Sequence, residues 1–98
     1  MDLKDKVAVI TGGASGLGRA TLRRFVANGG KVAIFDMNEE KGNQLVAEYP
    51  GMVIFCNVNV TSEESVAAGI AATIEAFGAI HICCNFAGTG NAMRTMGK

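Results

Sequence analysis

A strand, a glycine turn and a helix in direct succession constrain this chain more than any other feature. The apolar run Val7-Ala8-Val9-Ile10 leads into Thr11-Gly12-Gly13-Ala14-Ser15-Gly16-Leu17-Gly18. That turn opens into the helical pattern Arg19-Ala20-Thr21-Leu22-Arg23-Arg24-Phe25-Val26. Such a turn aims backbone N–H groups and a helix N-terminus at one point, and both favour a phosphate there. The glycines divide the work. One permits the tight turn, one lets backbone approach a pyrophosphate, and one lets the helix pack closely. Three glycines in a tight turn are weak on their own; the flanking strand, the helix and a downstream acid strengthen them. The acid is Asp36, which ends the second apolar run Lys31-Val32-Ala33-Ile34-Phe35-Asp36. A carboxylate there suits a ribose diol and repels a 2′-phosphate. The plainer reading is an aspartate that caps or turns the chain into the helix after it.

The rest of the chain repeats the alternation. Strand one is expected near 6–11 and helix one near 16–28, closed by Asn28-Gly29-Gly30. Strand two spans about 31–36, and helix two runs about 39–48, before Pro50-Gly51. Met52-Val53-Ile54-Phe55-Cys56 reads as strand three. Thr61-Ser62-Glu63-Glu64 reads as a capping box opening helix three. Val66, Ile70, Ile74 and Phe77 share a face of that helix, which Gly78 ends. Strand four is Ile80-His81-Ile82-Cys83-Cys84-Asn85. Near-continuously apolar strands alternating with helices predict an α/β fold, a parallel sheet covered on both faces. With 98 residues the chain makes one small domain.

Composition removes several classes. Nine basic and nine acidic side chains balance, and 49% apolar residues suit an ordinary core. No basic stripe suggests nucleic acid or an anionic membrane. Met1-Asp2-Leu3-Lys4-Asp5-Lys6 lacks a signal-peptide pattern, and no apolar run reaches spanning length. Cys56, Cys83 and Cys84 form no C-x-x-C pair and read as reduced thiols of a cytoplasmic protein. Cys83 and Cys84 should point to opposite faces of their strand. One histidine without ligand spacing argues against a metal site. His81, inside an apolar strand, reads as a structural histidine rather than a catalytic imidazole. Arg23 and Arg24 fall past the helix's dipole end and read as solvated side chains rather than a phosphate clamp.

These motifs resemble the short-chain dehydrogenase/reductase family over nearly the whole chain. Thr11, Gly12, Gly16 and Gly18 match its T-G-x-x-x-G-x-G motif at every fixed position. Asp36 matches the acid of its NAD-preferring members. Val58-Asn59-Val60-Thr61 stands where the family has an Asp-Val pair that holds the adenine. Asn85-Phe86-Ala87-Gly88 matches its N-N-A-G motif, with Phe86 replacing the second Asn. The resemblance implies a Rossmann-type doubly wound parallel sheet with strand order 3-2-1-4 for the part present, and NAD as cofactor. Gly12, Ser15, Gly16, Leu17 and Gly18 would hold the pyrophosphate, and Asp36 the adenosine ribose. Asn59 and Val60 would hold the adenine, with the Asn59 oxygen accepting from its amino group. Asn85, Phe86, Ala87 and Gly88 would flank the ribose and nicotinamide side. The reaction implied is hydride transfer between NAD(H) and a small-molecule secondary alcohol or ketone, in a homo-oligomeric enzyme. The motifs are most similar to the branch acting on 3-hydroxyacyl thioesters and hydroxysteroids.

The family's catalytic Ser and Tyr-x-x-x-Lys have no counterpart here. The one tyrosine is Tyr49, followed by Pro50-Gly51. The expectation is therefore a cofactor-binding half, ending before the catalytic half, with no catalytic residue of its own and no activity by itself. Two other classes stay open: a non-catalytic NAD-binding sensor or interaction module, and a merely structural chain.

Overall fold

Every residue from Val7 to Thr11 is buried, which is why this run carries no polar gap: it is a strand with both faces covered. The computed structural model describes residues 3–14 and 16–86. Its elements are β1 (Val7–Thr11), α1 (Gly16–Ala27), β2 (Lys31–Asp36), α2 (Glu39–Glu48), β3 (Val53–Asn57), α3 (Glu63–Phe77) and β4 (Ile82–Asn85). All strand pairs are parallel, in the order β3-β2-β1-β4. The expected α/β sheet and its 3-2-1-4 order are both present.

Alternate strand residues feed two cores, as the two-residue period of a strand requires. Ala8, Ile10, Val32 and Ile34 pack with Leu22 and Phe25 of α1 and Leu45 of α2. Val9, Ala33 and Phe35 pack on the other face with Val58 and Ile80, and with Val66 and Ile70 of α3. Cys84 joins the first cluster and Cys83 the second, so the neighbouring thiols do face opposite ways. Each fully buried aliphatic side chain contributes roughly 1.5–3 kcal/mol relative to exposure. Between α1 and α2, Arg23 donates to both Glu48 oxygens and to the Tyr49 hydroxyl.

Four local expectations shift. Strand three runs Val53–Asn57 rather than Met52–Cys56. The cap of α3 is Ser62, whose side chain accepts from the Ser65 N–H; Thr61 instead donates its hydroxyl to Asn59. The buried residues of α3 are Gly69 and Thr73, while Ile74 is 47% exposed. The helix approaches the sheet through its small residues: a Cβ on Gly69 would lie 2.8 Å from the Phe35 ring. The Thr73 hydroxyl satisfies itself by donating to the Gly69 carbonyl. Finally, β4 begins at Ile82 rather than Ile80. The Val7 N–H donates to Nδ1 of His81 at 3.0 Å, so an imidazole replaces a ladder carbonyl there. His81 is the structural histidine its setting predicted, with its Nδ1 taken up by a backbone N–H. Among the described residues, no helix is long and apolar enough to cross a membrane, and no group of side chains could hold a metal ion.

Candidate functional site

Strand register brings the ends of β1, β2, β3 and β4 to one edge. Thr11 pairs with Phe35 on one side and Asn85 on the other, and Asp36 pairs with Asn57. From β1 the chain winds outward to β2 and β3, then returns to place β4 on the opposite flank. The crevice at such a reversal, beyond the carboxyl ends of the strands, is where open α/β sheets bind ligands. Here it is an open cleft of about 620 Å³.

The glycine turn forms one wall. Gly12 leaves β1 with φ 69°, and its N–H donates to the Phe35 carbonyl at 2.8 Å. Gly16 starts α1 with φ 61°, and a Cβ built there would meet nothing within 4 Å. The space beside its backbone is open to the cleft. Gly18 is the opposite case: its Cβ would lie 2.2 Å from the Gly12 carbonyl oxygen and 2.9 Å from Gly13 Cα. Among these glycines, Gly12 turns the chain, Gly16 leaves open space, and Gly18 lets the helix sit against the turn.

Asp36 stands across from this wall. Its Oδ1 accepts from the Asn38 N–H at 3.0 Å and its Oδ2 from the Ala14 N–H at 3.2 Å. Asn38, not Asp36, caps α2, accepting from the Lys41 N–H. A carboxylate has about four lone-pair sites, so two remain for a ligand. On the third wall, the Asn59 oxygen accepts from both the Thr61 N–H (3.0 Å) and the Thr61 hydroxyl (2.6 Å). The oxygen expected to accept from a base is therefore engaged within its own turn. At the β4 end, the Thr11 hydroxyl donates to Asn85 Oδ1 at 2.6 Å, and the Phe86 N–H donates to the Thr11 carbonyl at 2.9 Å. Thr11 is 1% exposed and pins β4 to β1 from beneath the cleft.

Of the expected site residues, Gly12, Gly16, Leu17, Asp36, Asn59, Val60 and Phe86 line this one cleft. Gly18 and Asn85 are not among its lining residues. Ser15, Ala87 and Gly88 lie outside the described residues. Met37, Val58 and Thr61 also line the cleft without having been singled out as binding residues. Val58 and Thr61 belong to the quoted Val58-Asn59-Val60-Thr61 run and Met37 follows Asp36, and that adjacency was the available signal. Leu17, Met37 and Phe86 are large apolar side chains left exposed at the cleft. Exposed apolar groups gathered at a concavity mark a surface that takes a ligand with apolar faces. Burial pushes the thiols of Cys56, Cys83 and Cys84 up, which disfavours the thiolate form.

A family model described as "short chain dehydrogenase" matches residues 6–97. The chain is 41% identical over 93 residues to 3-hydroxyacyl-CoA dehydrogenase type-2 of Drosophila melanogaster, covering 95% of this chain and 36% of that protein. It is 47% identical over 89 residues to a 2,5-dichloro-2,5-cyclohexadiene-1,4-diol dehydrogenase of Sphingobium indicum, covering 88% and 36%. A crystal structure of 3-ketoacyl-(acyl-carrier-protein) reductase from Brucella melitensis complexed with NADH superposes with a TM-score of 0.80 at 31% identity. It covers 83% of this chain and 33% of that one. The chain spans about a third of the length of the proteins it matches.

Proposed function

Because the chain belongs to the short-chain dehydrogenase family, we propose that it forms the NAD-binding part of an oxidoreductase acting on a secondary alcohol or its ketone. The observation that carries this reading is the pairing, in one cleft, of the open backbone at Gly16 with the carboxylate of Asp36. The residues present fit a dinucleotide. The space beside Gly16 is one that any Cβ would narrow, and it adjoins the start of α1, where partial positive charge favours a pyrophosphate. In this proposal the turn from Gly12 through Ser15, Gly16 and Leu17 holds the pyrophosphate, with Gly18 setting its approach. Asp36 takes the ribose diol, and Asn59 and Val60 border the base. Asn85, Phe86, Ala87 and Gly88 flank the nicotinamide side. Leu17, Met37 and Phe86 offer apolar surface against ring faces and exclude water from them. When bound, the dinucleotide supplies the hydride acceptor or donor.

The proton on the substrate oxygen needs a donor that this chain does not offer. Tyr49 is its one tyrosine, and Val53 stands where a Tyr-x-x-x-Lys pair needs lysine. We therefore assign the proton donor outside these 98 residues, which by themselves transfer no hydride. They make up a single dinucleotide-binding domain, part of a longer cytoplasmic and homo-oligomeric enzyme. Its relatives act on substrates as different as an acyl-CoA and a chlorinated diol, so the substrate is proposed only as a small alcohol or ketone. The names of these relatives are those of dehydrogenases and a reductase, which does not favour a non-catalytic sensor.

Cofactor choice tests the role of Asp36. A 2′-phosphate would meet its carboxylate at a cost of about 3 kcal/mol, or roughly a hundredfold in affinity. Dissociation constants for NAD(H) and NADP(H), measured on the complete enzyme, should differ by about that factor in favour of NAD(H). NADP(H) binding as tight or tighter would contradict the assignment.

A further inference from the structure

Asp36 sits at the end of β2, yet one of its oxygens works 22 residues earlier in the chain. Oδ2 accepts the N–H of Ala14, inside the glycine turn, while Oδ1 accepts the N–H of Asn38 on its own side. Ala14 is 1% exposed, so water is poorly placed to replace that acceptor. The Gly12 N–H is already bonded to the Phe35 carbonyl. The turn is thus tied to the end of β2 at two points. One tie is backbone to backbone and survives any substitution; the other depends on the carboxylate.

We propose that Asp36 is a positioning residue for the glycine turn: it sets the backbone that faces a pyrophosphate, besides any contact it makes with a ribose. This rests on the dinucleotide reading above. Both subsites would then be coupled through one side chain. The coupling needs two acceptor oxygens held in one plane, which a carboxylate has and a carboxamide lacks. Asp36→Asn keeps one acceptor and turns an NH2 toward the other backbone N–H. Asp36→Ala removes both acceptors.

Two ligands separate positioning from direct contact. ADP and 2′,3′-dideoxy-ADP carry the same pyrophosphate, but only ADP has the ribose diol. If Asp36 positions the turn, Asp36→Ala weakens dideoxy-ADP by roughly tenfold, the usual effect of losing a hydrogen bond to a charged group. ADP loses more, since its diol contact goes too. Unchanged dideoxy-ADP affinity would overturn the proposal. Amide exchange on the ligand-free protein gives an independent arm. The Ala14 amide should exchange at least about tenfold faster in Asp36→Ala and in Asp36→Leu, neither of which has an acceptor, than in the unaltered protein. The β1 amides, which report the sheet, should stay unchanged. Equal Ala14 exchange in all three proteins would overturn the proposal, and Asp36→Leu decides this arm if Asp36→Ala does not fold. If neither nucleotide binds the unaltered protein, the dinucleotide reading fails, and Ala14 exchange still decides whether Asp36 holds the turn.

Discussion

Gly16 and Gly18 are two residues apart, and a side chain at each would do different harm. At Gly18 the added carbon would collide with backbone, the Gly12 carbonyl at 2.2 Å, which cannot rotate away. Relieving such overpacking costs about 1–3 kcal/mol, so Gly18→Ala should lower the melting temperature by roughly 4–8 °C per kcal/mol for a domain of this size. Thermal unfolding followed by far-UV circular dichroism checks this; an unchanged midpoint would mean the helix does not pack on the turn as described. The motif marked both glycines, but only the folded turn divides their roles, because the contact partner of Gly18 is the Gly12 carbonyl. Asp36 was legible as either a ribose acid or a turn aspartate. It lines the cleft and accepts from the Asn38 and Ala14 N–H groups, the bonds on which its proposed positioning role rests. The Ala14 bond links two motifs far apart in sequence, and no local pattern announces it. Asn59 was harder still, since its oxygen is taken up by Thr61, a hydroxyl neighbour that periodicity says nothing about.

At the scale of elements, every helix and strand was legible, since apolar runs and caps are local signals. Two of the misplacements are at positions where a side chain does a backbone's work. His81 accepts the Val7 N–H and delays β4; Ser62 takes the capping role from Thr61. In α3 the expected face included Ile74, but Gly69 and Thr73 allow closer approach, and the helix turns them inward. The strands also set a pH response. Burial raises the thiols of Cys56 in β3 and of Cys83 and Cys84 in β4; proximity to Cys84 adds to the shift at Cys83. Each folded thiol therefore keeps its proton to higher pH than in the unfolded chain. The sign follows: above the ordinary thiol range, near pH 8.5, the unfolded chain binds fewer protons and stability falls as pH rises. The denaturant midpoint should drop between pH 7.5 and 9.5, and drop less when the three cysteines are replaced by serine. At pH 9 iodoacetamide should label the folded thiols more slowly than the unfolded ones. Labelling at equal rates would contradict the burial of these strands.

For the whole molecule, the strand order β3-β2-β1-β4 does what no single motif can. It places the glycine turn after β1, the acid at the end of β2, the Asn59 turn after β3 and Phe86 after β4 around one crevice. The motifs were readable as a series. Their convergence depends on parallel pairing and on the return of the chain across β1, which are properties of topology. The central claim is that this crevice holds the pyrophosphate of NAD against the open backbone at Gly16. Calorimetric titration of NAD into the complete protein, unaltered and as Gly16→Val, tests it most directly. The account predicts saturable binding to the unaltered protein and none to the variant at concentrations up to roughly a hundredfold higher, with far-UV dichroism confirming that the variant is folded. A folded Gly16→Val protein that binds NAD as the unaltered one does would contradict it.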